Sequence, residues 1–217
     1  MVRYWKSYRV FLSGRLMKLI MYVLYPLFVV AWCSLMIVAI GSTTADATYG
    51  LLITGSMVLS GELLLDTFVY GGIMAKDTNK LEYLKTSIKG MNVLRRSLFA
   101  DKLRRMVTAV LIFAIAYGLH HEQVSIGQLV SLIFITGTLT ELGLLITRHF
   151  TMVSWTMVVI IAANILGAIM GMLAVQLSPV YVIVFFLLFG VTVLVSSKLI
   201  MKKAEGSFYD VGVEKVH

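Results

Sequence analysis

The residues best placed to do chemistry are acids in segments that otherwise carry almost no charge. In the stretch GELLLDTFVYGG, Glu62 and Asp66 stand four apart, so on a helix they share one face, one turn apart. Glu141 lies in a second apolar run, and Arg148 and His149 follow near its end. A carboxylate held in hydrocarbon costs roughly 2.5–3.5 kcal/mol on the insertion scale, so each acid must face protein or water. Three chemistries meet that demand. The acids can line a translocation path for a cationic or amphipathic cargo. They can bind helices together, a protonated carboxyl bonding to Ser56, Ser60, Thr138 or Asn164. Two acids a turn apart can also share one proton, as a proton-coupled carrier requires. Glu62 reads first as path, Asp66 fits path and packing equally, and Glu141 reads first as packing because Arg148 is within its reach.

Other reactive types lack partners. Cys33 is the one cysteine, so neither an intrachain disulfide nor a cysteine metal cluster is available. His120 and His121 are adjacent and have no evident third ligand. No nucleophile–base pair stands out, and the chain reads as a membrane transport subunit, not an enzyme.

The elements that carry these acids follow from composition. Of 217 residues, 59% are hydrophobic and 14% charged, and the mean hydropathy is +0.90. Soluble domains average about 25% charged residues, so the chain reads as an integral membrane protein in a single domain, 1–217. Six apolar runs emerge: Leu19–Gly41, Gly50–Met74, Met106–Leu119, Gly127–Thr147, Met152–Val175 and Val180–Leu199. A helix needs ~20 apolar residues to cross the bilayer. The third run is short, so it is expected to start earlier, at Leu103 or Leu98, with its arginines snorkelling to the interface.

Charge orients the bundle. All nineteen Lys and Arg residues fall in the N-terminus, in 76–105, at Arg148 or near the C-terminus, and none in the loops 42–49, 120–126 and 176–179. Six spans with both termini in the cytoplasm place every cation on one side, as the positive-inside rule demands. The net charge of +8 then reports orientation and calls for no nucleic-acid partner.

At the N-terminus, residues 1–15 place Tyr4, Trp5, Tyr8, Phe11 and Leu12 at helical spacing, with Arg3, Lys6 and Arg9 between them. The pattern predicts an interfacial amphipathic helix, aromatics toward the lipid, with Gly14 allowing the bend into the first span. In the fifth run, Ala163, Gly167 and Gly171 repeat every four residues. This small-residue face suits close packing within the chain or a dimer seam.

Residues 76–105 hold nine basic and three acidic residues. Leu81, Leu84, Ile88 and Met91, then Val93, Leu94, Leu98 and Leu103, keep helical spacing on either side of Gly90 and Asn92, and Asn92 suits a helix cap. The expectation is a cytosolic helical elbow with an apolar tip ringed by Lys85, Lys89, Arg95 and Arg96. Anionic lipid alone would account for the charge. An apolar tip beyond the membrane surface wants a protein groove.

The segment LEYLKTSIKGMNVLRRSLFADKLRR, with six spans and an amphipathic N-terminal helix, resembles the permease subunit of a type-two ABC exporter of bacteria. Many members have proline where Ser87 stands. The resemblance implies a short coupling helix over 87–96, in which Ser87, Ile88, Lys89, Met91, Val93, Leu94, Arg95 and Arg96 engage a separate ATPase. It also implies a second permease copy or a related permease, residence in the bacterial plasma membrane, and a cytosolic tail over 200–217. No G-x-x-x-x-G-K-[ST] occurs in the chain, so ATP and Mg would belong to the partner ATPase. The cargo expected is an amphipathic peptide or a hydrophobic drug. The alternative is a proton-coupled or facilitative carrier using Glu62 and Asp66.

Overall fold

The computed structural model describes residues 2–12, 14–40, 44–71, 73, 89–119, 125–149, 153–176 and 180–209, and among these it is helical without a strand. Helix α1 spans Val2–Phe11. A bend at Gly14, whose φ of +89° favours a residue without Cβ, leads into α2, Arg15–Leu19. A π-helical turn, Ile20–Leu24, joins α2 to α3, Tyr25–Ile40. Then come α4, Thr44–Tyr70, α5, Gly90–Leu119, α6, Ile126–Thr147, α7, Val153–Gln176, and α8, Val180–Tyr209. Ser125 and Gln128 close a reciprocal capping box at the start of α6, which satisfies two of its otherwise unpaired backbone donors.

Among the described residues, five helical stretches are long and apolar enough to cross a bilayer: Arg15–Trp32, Tyr49–Tyr70, Ile126–Thr147, Val153–Ala174 and Tyr181–Lys203. That is the signature of a multi-pass membrane protein. About half or more of α4 and α6 is buried, against a fifth or so of the first, α7 and α8 stretches. The bundle is therefore built around α4 and α6. Helix α7 packs on both, α8 on α6, and α3 on α4 and α5.

Helix α5 departs from the expected third span. It is one uninterrupted helix of 30 residues, about 45 Å long, and it starts at Gly90. Asn92, expected as a cap, lies inside it. Arg104 and Arg105, expected to snorkel, are buried at 4% and 6% exposure and point into the protein. The physical reason is the acids on α4 and on α5 itself, which offer these guanidiniums partners inside the fold.

Helix α1 forms where the sequence places it, but its apolar face is spent on protein. Tyr8, Phe11 and Leu12 are buried in the main core with Met91, Leu94 and Leu98 of α5, and α1 lies along α5. Tyr4 stays exposed and its ring meets Phe99 of α5 at 5.3 Å. Residues 76–88 of the expected elbow and 210–217 of the expected tail lie outside the described residues, while 200–209 continue α8 as helix.

Candidate functional site: a buried ionic bracket beneath an apolar cavity

One face of α5 carries Ser97, Asp101, Arg104 and Arg105, the three-and-four spacing of a helical stripe. This stripe meets the acids of α4. Arg104 grips Glu62 with both nitrogens, Nη1 to Oε1 at 3.1 Å and Nη2 to Oε2 at 2.5 Å. Arg148, just past the end of α6, grips Asp66 in the same way, Nε to Oδ2 at 3.0 Å and Nη2 to Oδ1 at 2.6 Å. Arg105 adds a third contact to Asp66 through Nη1 at 3.2 Å.

Asp101 ties the pieces together. It lies 2.7 Å from Arg105 Nη2, 3.3 Å from Arg104 Nη2 and 3.3 Å from Arg148 Nη2. It also accepts a hydrogen bond from Tyr8 Oη at 3.1 Å, which pins α1 to the cluster. Burial, and after it the Asp101 carboxylate, push the Tyr8 hydroxyl well above its ordinary pKa, so it stays protonated and donates. Tyr70 hydrogen-bonds Ser97, and the Arg148 guanidinium lies over the Tyr70 ring, 4.9 Å from its centroid.

A second limb of the bracket runs along the other flank of α5. Lys102 Nζ meets Glu141 of α6 at 2.8 Å and donates to Ser197 Oγ of α8 at 2.7 Å. Ser196 Oγ donates to the same Glu141 at 2.9 Å. The expected pairing of Glu141 with Arg148 is thus replaced: Lys102 takes Glu141, and Arg148 goes to Asp66 and Asp101.

Four cations, Lys102, Arg104, Arg105 and Arg148, meet four carboxylates, Glu62, Asp66, Asp101 and Glu141, so the cluster sums to zero charge. Glu62, Asp66 and Arg148 are only 1–3% exposed. A guanidinium does not give up its proton at any ordinary pH. Carboxylates gripped this way serve as fixed anchors, and the bracket locks α1, α4, α5, α6 and α8 together at one end of the bundle.

The other end is different. A cavity of about 240 Å³ lies among the first half of α4, the middle of α6 and the second half of α7. Its walls include Leu52, Leu59, Leu132 and Leu139, and none of its lining residues is charged. Glu62, Asp66 and Glu141 do not line it. Its polar groups are neutral. Asn164 accepts from Ser56 Oγ at 2.5 Å and donates to Ser60 Oγ at 2.8 Å. Thr136 presents its hydroxyl beside Gly55.

The small-residue face of α7 borders this region. Ala163 is buried in a cluster with Leu59, Leu63 and Leu139. A Cβ on Gly167 would stand 3.3 Å from Leu139, and one on Gly171 would overlap Leu52 at 2.1 Å. These three residues face α4 and α6 of the same chain, which lets α7 approach them closely.

Of the expected coupling residues, Ser87 and Ile88 lie outside the described residues. Met91 and Leu94 turn inward, Leu94 completely, and join the core; Val93 is half-buried against it. Lys89, Arg95 and Arg96 are exposed. The surface that this stretch offers is therefore cationic, its apolar side being covered by α1 and the bundle. His120 and His121 also lie outside the described residues, and no group of three metal-ligating side chains occurs among those described.

Sequence reasoning missed Asp101, Lys102, Arg104, Arg105 and Tyr8 as partners of the acids. The signal was available in D-K-x-R-R, whose charges fall on one helical stripe and its flank, and whose cations match the acids of neighbouring segments. Comparison with protein-family models, curated proteins and solved structures gave no match to this chain.

Proposed function

We propose that the chain is the permease subunit of an ATP-driven exporter, with α5 as its third membrane span, six spans in all, and both termini in the cytoplasm of a bacterial cell. A separate ATPase binds the cationic surface at the start of α5 together with the elbow that precedes it. A second permease copy, or a related permease, completes the path for an amphipathic or hydrophobic cargo.

The observation that supports this reading is the continuity of α5. One unbroken helix carries the exposed Lys89–Arg96 end and, about 15 Å further along, the bracket residues 101–105. A displacement applied at the exposed end is transmitted through paired charges to α4 and α6, and through the Lys102–Ser197 hydrogen bond to α8. Buried ion pairs hold geometry well, because breaking one by removing a partner costs about 3–5 kcal/mol. The carrier alternative needs Glu62 or Asp66 to exchange a proton, and each is already held by an arginine.

The test is isolation of the chain from native membranes, followed by charge reversal at Lys89 and Arg96. A nucleotide-hydrolysing polypeptide is expected to copurify, and the double reversal to weaken that association about tenfold or to free ATP hydrolysis from cargo. A preparation that moves cargo with no such polypeptide present overturns the proposal.

A further inference from the structure

The cavity among α4, α6 and α7 has three properties that together define a ligand. The first is size. At about 240 Å³ it exceeds the ~150 Å³ that holds benzene, but falls short of the ~300–1,000 Å³ of sites for drug-sized molecules. It admits one slender chain, not a folded peptide or a fused-ring drug.

The second property is polarity. Aliphatic residues and Met172 form most of the wall, and no lining residue carries a charge. The polar groups that remain are neutral and have capacity to spare. Asn164 commits both amide hydrogens, to Ser60 Oγ and to the Ile160 carbonyl, while its oxygen takes only the Ser56 hydroxyl and keeps a free lone pair. Thr136 is more than nine-tenths buried, and its hydroxyl makes no hydrogen bond among the described residues. A buried hydroxyl of this kind is stabilised by a ligand that donates to it or accepts from it.

The third property is access. Tyr49 and Ser56 on α4, and Ala168 and Met172 on α7, are exposed at the rim. The cavity therefore opens sideways between α4 and α7, along a flank of α7 where Ile161, Ile165 and Ile169 are also exposed, a surface suited to bilayer hydrocarbon.

We infer that the cavity between α4, α6 and α7 binds the hydrocarbon chain of an uncharged single-chain amphiphile, whose hydroxyl or carbonyl head meets Thr136 and Asn164. The ligand enters from the lipid side. Binding stands on the cavity alone; only the description of this ligand as cargo rests on the proposed exporter function. A missing ATPase would overturn that function and leave the site intact.

The experiment uses the full chain in lipid nanodiscs and a monoacylglycerol bearing a diazirine in its acyl chain. After irradiation, labelled residues are mapped by mass spectrometry. Labelling is expected at cavity residues such as Leu52, Leu139 and Met172, above that at Ile161 and Ile165 on the lipid face. Ala168→Phe, which narrows the mouth, should cut cavity labelling at least fivefold and leave the lipid-face signal unchanged. Thr136→Val, close in size, should cut it about threefold or more and guards against misfolding of the first variant. Unlabelled monoacylglycerol should compete, and an alkyl trimethylammonium of equal chain length should not. Label confined to the lipid face, indifference to both substitutions, or stronger competition by the cation would each overturn the inference.

Discussion

The two ends of the bundle solve opposite problems with the same helices. Where α4 and α6 approach their C-terminal ends, eight charged side chains from α4, α5, α6 and the turn that follows α6 are packed out of solvent and paired to neutrality. Toward the N-terminal half of α4, the helices separate around an uncharged, partly open cavity of about 240 Å³. Directional, high-stakes contacts fix one end. Non-directional apolar contacts leave the other adaptable. A molecule that must hold one end rigid while the other stays adaptable has reason to segregate its polar and apolar interactions in this way.

The sharpest way to break this comparison is Arg148→Met. It leaves Asp66 with Arg105 alone and removes one of the cations around Asp101. A loss of about 3–5 kcal/mol is expected in unfolding measured in mixed micelles. Adding Asp66→Leu should recover more than half of that loss, because the orphaned charge goes with it. A single variant as stable as the parent would show that the bracket is not holding the fold.

A smaller effect is expected from Tyr8→Phe, which removes one hydrogen bond to a charged acceptor, worth about 1.5–3 kcal/mol. Its readout is protease access to α1, which should rise while the core helices stay protected. Uniform protection in this variant would place the hold of α1 in its apolar face alone. The smallest effect is expected from Thr136→Val in the cavity, within about 1 kcal/mol of the parent in the same unfolding assay, because no hydrogen bond within the chain is lost. Were it as damaging as Arg148→Met, the division into a locked and a tolerant end would fail.

Much of this organisation was legible in the chain itself. Apolar runs and the placement of cations gave the all-helical, multi-pass character, and α1 and the Gly14 bend lie among residues the sequence had singled out; Ser56, Ser60 and Asn164, expected as partners of the acids, bond to one another instead. The partners of the acids were not legible. Ion pairs between helices depend on rotation and depth, and residues 39 to 82 positions apart, such as Asp66 with Arg105 or Arg148, carry no local mark of their pairing. Arg104 and Arg105 also occupy a place where snorkelling is the ordinary expectation. For Met91 and Leu94, helical periodicity was visible, but nothing local revealed that α1 would return to cover that face.

The balance of four against four bears on how the protein reaches the membrane. As the chain leaves the ribosome, α4 emerges with Glu62 and Asp66 before any of their partners exists, α5 then brings Asp101 with three cations, and Glu141 and Arg148 come last. No prefix of the sequence that ends before Arg148 can complete the set. The acids of α4 are nonetheless left unneutralised only until α5 is made, when three acids stand against three cations, and Glu141 and Arg148 then add one charge of each sign.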